Sequence, residues 1–363
     1  MKYPLHIIVR KKLANFLNKF LSLFRRQNTS KIEQNVNKDD IKTILLVRPN
    51  YRIGNILFLT PLINELHKHM PDAKIDIIVG MKLAGEILEP MPNVNKIIDI
   101  PRKLLLHPID LYKYIKKSRK QKYDLALNVS GGSTSAQIVM SLIKAKYKAS
   151  FADKKLWTSF THIQERGKKT FTHMGLESLE FLRFFNISLP KPQPSLDIKL
   201  TQYEIKNAEE QCKSLLRENN YDPDQVTTIA LFRNARFDKK IEDKLWEELI
   251  YEMKKNTKKD LVFIDILSPD IPHKLNDDVL AYQTKDLREL GAFFKTCDLF
   301  ISADTGPLHL AVASKANVIA LFTKTEIHVY GALGNNNQNI DINNLSAEDI
   351  AKEILLHTPQ LKE

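Results

Sequence analysis

Residues Leu299 to Ala311 read as an apolar run that turns at Asp304-Thr305-Gly306 into the start of a helix. Thr305 can cap that helix, Gly306 lets a ligand approach the backbone, and Pro307 stands where a missing N–H costs nothing. The remaining N–H groups, with the positive end of the helix dipole behind them, form a seat for a phosphate. His309, within the first turn, can add a donor to the same group. A plain capping turn would use these residues too, and the segment alone leaves both readings open.

A second constellation is made of charge. Arg102, Lys103, Lys113, Lys116, Lys117, Arg119, Lys120 and Lys122 cluster, and Lys144, Lys146, Lys148, Lys154 and Lys155 form another basic set. Residues 1 to 200 hold 35 lysines and arginines against 16 acids, whereas the rest of the chain is mildly acidic. A basic half next to an acidic one points to an anionic partner: nucleic acid, membrane phosphate or an acidic saccharide. A nucleic-acid surface would interleave aromatics, and the clusters offer few beyond Tyr112, Tyr114 and Tyr123, so this reading is set aside. Gly131-Gly132-Ser133, ahead of a helix start, can bring backbone close to a ligand.

Missing motifs narrow the chemistry. No Gly-x-Gly-x-x-Gly follows the first strand and no Gly-x-x-x-x-Gly-Lys-Ser/Thr is present, which argues against nicotinamide, flavin and P-loop enzymes. Asp222-Pro223-Asp224 has the spelling of a metal-binding Asp-x-Asp, but its proline belongs to a turn. Cys212 and Cys297 lie far apart in the chain and outside any Cys/His cluster, so neither a disulfide framework nor a zinc site is expected and a reducing compartment fits best.

The elements that must position these residues can be read from the apolar runs. Ile44 to Val47, Ile75 to Val79, Lys96 to Ile100 and Leu125 to Val129 alternate with helical stretches, the first of them expected from Asn55 to Met70. Lys191-Pro192-Gln193-Pro194 interrupts the pattern, a helix over Gln202 to Asn219 follows, and strands resume at Thr228 to Phe232, Leu261 to Ile264, Leu299 to Ser302 and Val318 to Phe322. A chain of 363 residues, 43% hydrophobic and 27% charged, exceeds what one core usually holds. The fold expected is α/β, with two Rossmann-like, doubly wound halves facing a cleft. Leu13, Phe16, Leu17, Phe20, Leu21 and Phe24 lie at helical spacing among Arg10 to Lys12, Arg25 and Arg26. This basic amphipathic helix can lie on a membrane surface or pack on the protein itself. No uninterrupted apolar stretch reaches the length of a membrane span, and the N-terminus lacks a secretory pattern.

The strand with Asp304-Thr305-Gly306-x-x-His309 and Ala313, followed by Val318 to Thr325, resembles the nucleotide-sugar motif of the heptosyltransferases of lipopolysaccharide core synthesis, glycosyltransferase family 9. Ile44 to Arg48 through Gly54-Asn55 and Thr60-Pro61 resembles that family's first strand and glycine loop, and Asp124 to Gly131 and Ser135 its acceptor-domain strand and loop. The likeness spans residues 41 to 335.

The resemblance implies a GT-B fold: an N-terminal extension and linker over 1–40, an acceptor-binding domain over 41–190, a donor-binding domain over 191–345 and a C-terminal helix within 346–363 that returns to the first domain. It implies a metal-independent, inverting transfer of a heptose or related sugar from an ADP-sugar to an anionic, lipid-linked lipopolysaccharide core, without a cofactor, at the inner face of the cytoplasmic membrane. Donor-side residues carried over are Asn234, Ala235, Lys239, Asp270, Lys285, Asp304, Thr305, Gly306 and His309, with Lys239 and His309 on the diphosphate and Lys240 an alternative to Lys239. Gly54, Asn55, Gly131, Gly132 and Ser133 fall on the acceptor side. The family places its general base, an aspartate, where this chain has Asn55. An amide cannot accept the proton, so another carboxylate such as Asp153 or Glu165 serves, Asn55 orients the hydroxyl, or the chain is a catalytically impaired nucleotide-sugar binder in an assembly complex.

Overall fold

The computed structural model of the chain describes residues 36–49, 51–100, 110, 113–114, 122–130, 133–152, 160–165, 170–235, 239–334 and 337–361. The amphipathic segment, Gly131, Gly132, Asp153 and most of the first basic cluster lie outside these residues.

Two parallel sheets of six strands each form the frame. The first comprises β1 (Thr43–Arg48), β2 (Lys74–Val79), β3 (Val94–Asp99), β4 (Lys122–Asn128), β5 (Lys144–Ala152) and β6 (His162–Glu165), in the order β3-β2-β1-β4-β5-β6. The second comprises β7 (Val226–Phe232), β8 (Asp260–Ile266), β9 (Leu280–Tyr282), β10 (Leu299–Ala303), β11 (Val318–Phe322) and β12 (Gln338–Asp341), in the order β12-β11-β10-β7-β8-β9. Counted within each half, both orders are 3-2-1-4-5-6, the dinucleotide-binding arrangement. Strands covered on both faces need apolar residues at nearly every position, and Ile44 to Val47 and Leu299 to Ala303 are buried throughout.

The helices follow in chain order as α1 (Ile53–Leu57), α2 (Thr60–His69), α3 (Ala84–Leu88), α4 (Thr134–Leu142), α5 (Gln202–Glu218), α6 (Asp243–Lys255), α7 (Leu287–Thr296), α8 (Gly306–Ala313), α9 (Ile327–Tyr330) and α10 (Ala347–His357). The single helix expected from Asn55 to Met70 is two. Pro61 lacks the N–H that would continue the ladder, and the Thr60 hydroxyl donates to the Leu57 carbonyl at the break.

Both halves pin their central strands with the same clasp. The Asp124 carboxylate at the start of β4 accepts from the Thr43 amide and hydroxyl, each at 2.9 Å. Asp298, just before β10, does the same to Thr228 at 2.7 and 2.9 Å.

The main apolar cluster runs without interruption from the first sheet through α1 and α2 to α8 and one face of the second sheet, so the halves share a core. A separate cluster on the outer face of the second sheet holds Trp246, Leu249 and Met253 of α6 against Ile350 and Ile354 of α10. The C-terminal helix therefore stays with the second sheet and does not return to the first. Its amphipathic face, with Ile350, Ala351, Ile354 and Leu355 all buried, is satisfied by α6. Cys212 on α5 and Cys297 after α7, distant in sequence, are hydrogen-bonded neighbours in space and remain free thiols. Among the described residues, no helix is long and apolar enough to cross a membrane.

Candidate functional site

In doubly wound sheets, ligands lie beyond the carboxyl ends of the strands where the strand order reverses. Here the reversals fall between β1 and β4 and between β7 and β10. The segments that leave these four strands carry Asn55, in the first turn of α1, and Ser133, Asn234, Lys239 and Asp304.

The second reversal is built around Asp304. Lys239 Nζ donates to its Oδ2 at 2.5 Å, the Thr325 hydroxyl donates to the same oxygen at 2.6 Å, and His309 Nε2 stands 3.7 Å from Oδ1. Burial opposes the Asp304 charge, but the nearby His309 ring, the hydrogen bonds from Lys239 and Thr325 and the Lys239 charge outweigh it and hold the carboxyl well below the ordinary range. A carboxylate so strongly held is a weak base. The β7–β10 pairing is what joins Lys239 to Asp304 across the sequence, and Lys240 is left exposed.

The Thr305 hydroxyl accepts from Leu308 N at 3.4 Å, so the capping role is real. Pro307 has no N–H, which leaves the Gly306 amide of the first three helical positions for a ligand. The seat is narrower than the sequence implied: one amide and one ammonium in place of a ring of amides. The turn stays partly exposed.

Next to it, Asn234 Nδ2 donates to Ser268 Oγ at 2.8 Å and to Asp270 Oδ2 at 3.4 Å, which unites two of the expected donor residues. Ala235 packs against the outer cluster of the second sheet. Lys285 is exposed on the loop ahead of α7, whose cap is Asp286.

Sequence reasoning passed over Arg233, which organises this side. Its guanidinium, 2% exposed, donates from Nε and Nη2 to Asp265 Oδ2 at 2.9 and 2.7 Å, from Nη1 to Asp243 at 2.8 Å and from Nη2 to the His273 carbonyl at 3.0 Å. It thus ties the end of β8, the start of α6 and the loop carrying Asp270 to one point. Its signal was an arginine directly after an apolar strand.

The first reversal is built differently. Gly54 begins α1 against the opposite half: a Cβ there would lie 2.8 Å from His309 Cδ2. A Cβ on Gly306 would lie 2.1 Å from Ile53 Cγ2, so the two helix starts meet through paired glycines. His309 is consequently buried between the halves, edge-on to Phe58 at 4.7 Å between ring centres, and spans from Gly54 to Asp304. Asn55 Oδ1 accepts from Arg48 Nη2 at 3.3 Å. Ser133 spends its hydroxyl on Ala136 N as the cap of α4, which leaves only its backbone for the expected acceptor-side contact.

Of the second basic set, Lys144 and Lys146 are exposed on β5. Lys148 instead donates to the Met140 carbonyl at 2.9 Å, and burial lowers its pKa; it faces its own fold. Glu165 ends β6, the edge strand, with β5 and β4 between it and β1. Asp222 and Asp224 form the expected exposed turn, with the Asp224 amide donating to Asp222 Oδ1 at 3.1 Å. Among the described residues no cluster of three or more His, Cys, Asp or Glu side chains is arranged for a metal.

Two cavities flank the site. One, of about 310 Å³, is lined by Thr323, Thr325, Glu326, His328, Asp341 and Asn343 next to the Asp304 network. The other, of about 230 Å³, lies between the halves and is lined by Thr170, His173, Ile327, Gly331 and Leu333. His173 accepts from the Gly175 amide at Nδ1 and pairs through Nε2 with the Gly331 carbonyl at 2.9 Å, which requires the neutral ring protonated at Nε2. Burial, helped by His309 and opposed by the Gly331 hydrogen bond, brings its pKa down to about 4.

Residues 270–357 match the family model for glycosyltransferase family 9 (heptosyltransferase). The chain is 29% identical to lipopolysaccharide heptosyltransferase 3 of Escherichia coli K12 over 294 residues, covering 76% of this chain and 81% of that one. Among solved structures it resembles a family 9 glycosyl transferase from Veillonella parvula, with a TM-score of 0.71, 15% identity and coverage of 90% and 99% of the two chains. It also resembles E. coli heptosyltransferase WaaC with ADP, with a TM-score of 0.69, 17% identity and coverage of 87% and 99%. The two sheets and these likenesses give the fold as GT-B, two Rossmann-like halves around a cleft.

Proposed function

We propose that the chain is a member of glycosyltransferase family 9, which its family-model match and its relatives support, and that it transfers a heptose or a closely related sugar from an ADP-sugar to the core saccharide of a lipopolysaccharide, with inversion at the sugar carbon. The observation that carries this reading is the Lys239–Asp304 pair at 2.5 Å beside the Gly306 amide, at the second strand reversal. An incoming diphosphate would take over the Lys239 ammonium from Asp304 and receive the Gly306 N–H. As the bond to the sugar breaks, charge grows on that diphosphate, and fixed positive groups stabilise the growing charge more than the starting state. Transfer without a metal follows from this cation supplying the neutralisation.

Asn234 and Asp270 would hold the nucleoside side, and the cavity by Thr325, Glu326 and His328 the sugar. Relatives named as lipopolysaccharide heptosyltransferases, and one solved with ADP, support the donor and acceptor classes. The acceptor enters at the first reversal by Gly54, Asn55 and the loop after β4, steered by the basic face of the first half. The amphipathic segment at the N-terminus holds the protein at the cytoplasmic side of the membrane. The halves split as extension and linker 1–40, acceptor side 41–190, donor side 191–345 and terminal helix 346–363.

The experiment is turnover by the full chain with ADP-heptose and a lipid-linked core acceptor. ADP release above background, with the sugar recovered on the acceptor, is expected; binding of ADP-heptose with no release would end the transfer reading. That second outcome is what a nucleotide-sugar-binding homologue in an assembly complex would give, a reading favoured by one observation, the amide of Asn55 hydrogen-bonded to Arg48.

A further inference from the structure

Arg48 closes β1 and is 3% exposed. Its Nη1 donates to the Val129 carbonyl at 2.8 Å and its Nη2 to Asn55 Oδ1 at 3.3 Å, while Nε is buried with no hydrogen-bond partner. Guanidinium has donors only, so the group of Asn55 that faces it must be the oxygen. The choice between amide oxygen and nitrogen, often ambiguous, is therefore set by chemistry here. Burial brings the pKa of the guanidinium down to about 10, and the titratable groups near it, the Glu177 carboxylate and the Tyr330 phenol, oppose that shift.

We propose that Arg48 is a positioning residue that turns the Asn55 side-chain oxygen inward, so that position 55 offers the acceptor sugar an N–H donor. The proposal rests on the transferase reading above. The Nδ2 amide, on the partly exposed side of Asn55, donates to a lone pair of the acceptor hydroxyl and fixes its direction. It takes no proton from it. Asn55 thus contributes to acceptor recognition, and Arg48 acts through it.

The test is steady-state kinetics of the full chain with donor and acceptor varied separately. Asn55→Ala is expected to reduce kcat/KM for the acceptor about 3- to 10-fold, the effect of one neutral hydrogen bond, and to leave the donor KM in place. Arg48→Met is expected to reproduce the acceptor defect, and the double variant to be no worse than the single ones. Should Arg48→Met fail to fold, Arg48→Lys, which keeps the charge but loses the fork, takes its place in the cycle. Asn55→Asp sets a carboxylate against Arg48; it is expected to raise turnover and to add an acid limb to the pH profile that the unsubstituted chain lacks. Additive effects of the two substitutions, an acceptor KM unmoved by Asn55→Ala, or a pH profile unchanged in Asn55→Asp would overturn the proposal. No turnover by the unsubstituted chain removes the transferase reading and this role with it. Turnover with an intact acceptor KM in Asn55→Ala removes this role alone.

Discussion

Each half of the protein places a buried arginine where its first strand ends, and the two are satisfied in opposite ways. Arg233 meets two carboxylates, Asp265 and Asp243, and its charge is favoured despite burial, which by itself lowers its pKa. Arg48 meets a carbonyl and an amide, keeps one buried N–H unpartnered and has its pKa lowered. The first arrangement is closed: each of the three guanidinium nitrogens answers a framework group and ties the surrounding loops together. The second leaves one N–H unanswered beneath the proposed acceptor surface, and the nearby Glu177 carboxylate raises the pKa less than burial lowers it. Two copies of one topology thus give a fully paired arginine in the proposed donor half and an incompletely paired one in the proposed acceptor half.

Substitutions can break this comparison, and the largest effect is expected at the closed arginine. Removing one partner of a buried ion pair typically costs about 3–5 kcal/mol. Asp265→Ala should therefore lower the unfolding free energy obtained from urea melts by that amount, whereas Arg48→Met, which frees two neutral acceptors and takes a positive charge away from Glu177 without breaking a direct ion pair, should cost less, about 1–3 kcal/mol. Equal losses would erase the distinction. Next, Lys239→Met should reduce kcat about 10²- to 10³-fold, the usual loss for one group that stabilises developing charge, and should also lower the melting temperature, because the buried Asp304 carboxylate loses its cation; kcat is therefore read well below the melt.

A third test uses His173, which lies between the halves. Its folded pKa of about 4 is depressed below the unfolded value, so the unfolded chain binds the extra proton between these values. Stability from this residue is complete above about pH 6.5 and lost as pH falls toward 4, on the order of 3 kcal/mol in all. In His173→Gln, unfolding followed across that range should lose this part of the slope.

The smallest effect is expected at the glycine contact. Gly306→Ala brings a methyl within 2.1 Å of Ile53 Cγ2 and should cost about 1–3 kcal/mol, relieved by Ile53→Ala in the same chain. Failure of that relief, read in thermal melts, would mean the strain lies elsewhere.

The frame was legible because buried parallel strands leave an unmistakable trace: Ile44 to Val47 and Leu299 to Ser302 have no other plausible use. The edges were not. β5 reads Lys-Ala-Lys-Tyr-Lys-Ala-Ser-Phe-Ala, a charged alternation that suggested a basic surface before it suggested a strand, and β9 and β12 are too short to announce themselves. At the site, the Asp304 turn could be seen because its chemistry is local. Lys239 was reached only through the family resemblance, since Asp304 lies 65 residues away and only the pairing of β7 with β10 brings them together. Arg48 and Arg233 were missed for the same reason. Each sits at the end of a strand, where a charged residue looks like the exit to solvent, and only the packed fold shows that it is roofed over.

The twin clasps of Asp124 on Thr43 and Asp298 on Thr228 lie at the ends of the sheets farthest from the ligand. A carboxylate that grips both the amide and the hydroxyl of its neighbour permits only one stagger of the central pair. Fixing that stagger at the floor determines how high each loop emerges at the ceiling, much as the footing of a ladder sets the level of its top rung. The relative heights of Arg48 and Val129, and of Asn234 and Asp304, are in this sense decided a whole strand length away from any substrate.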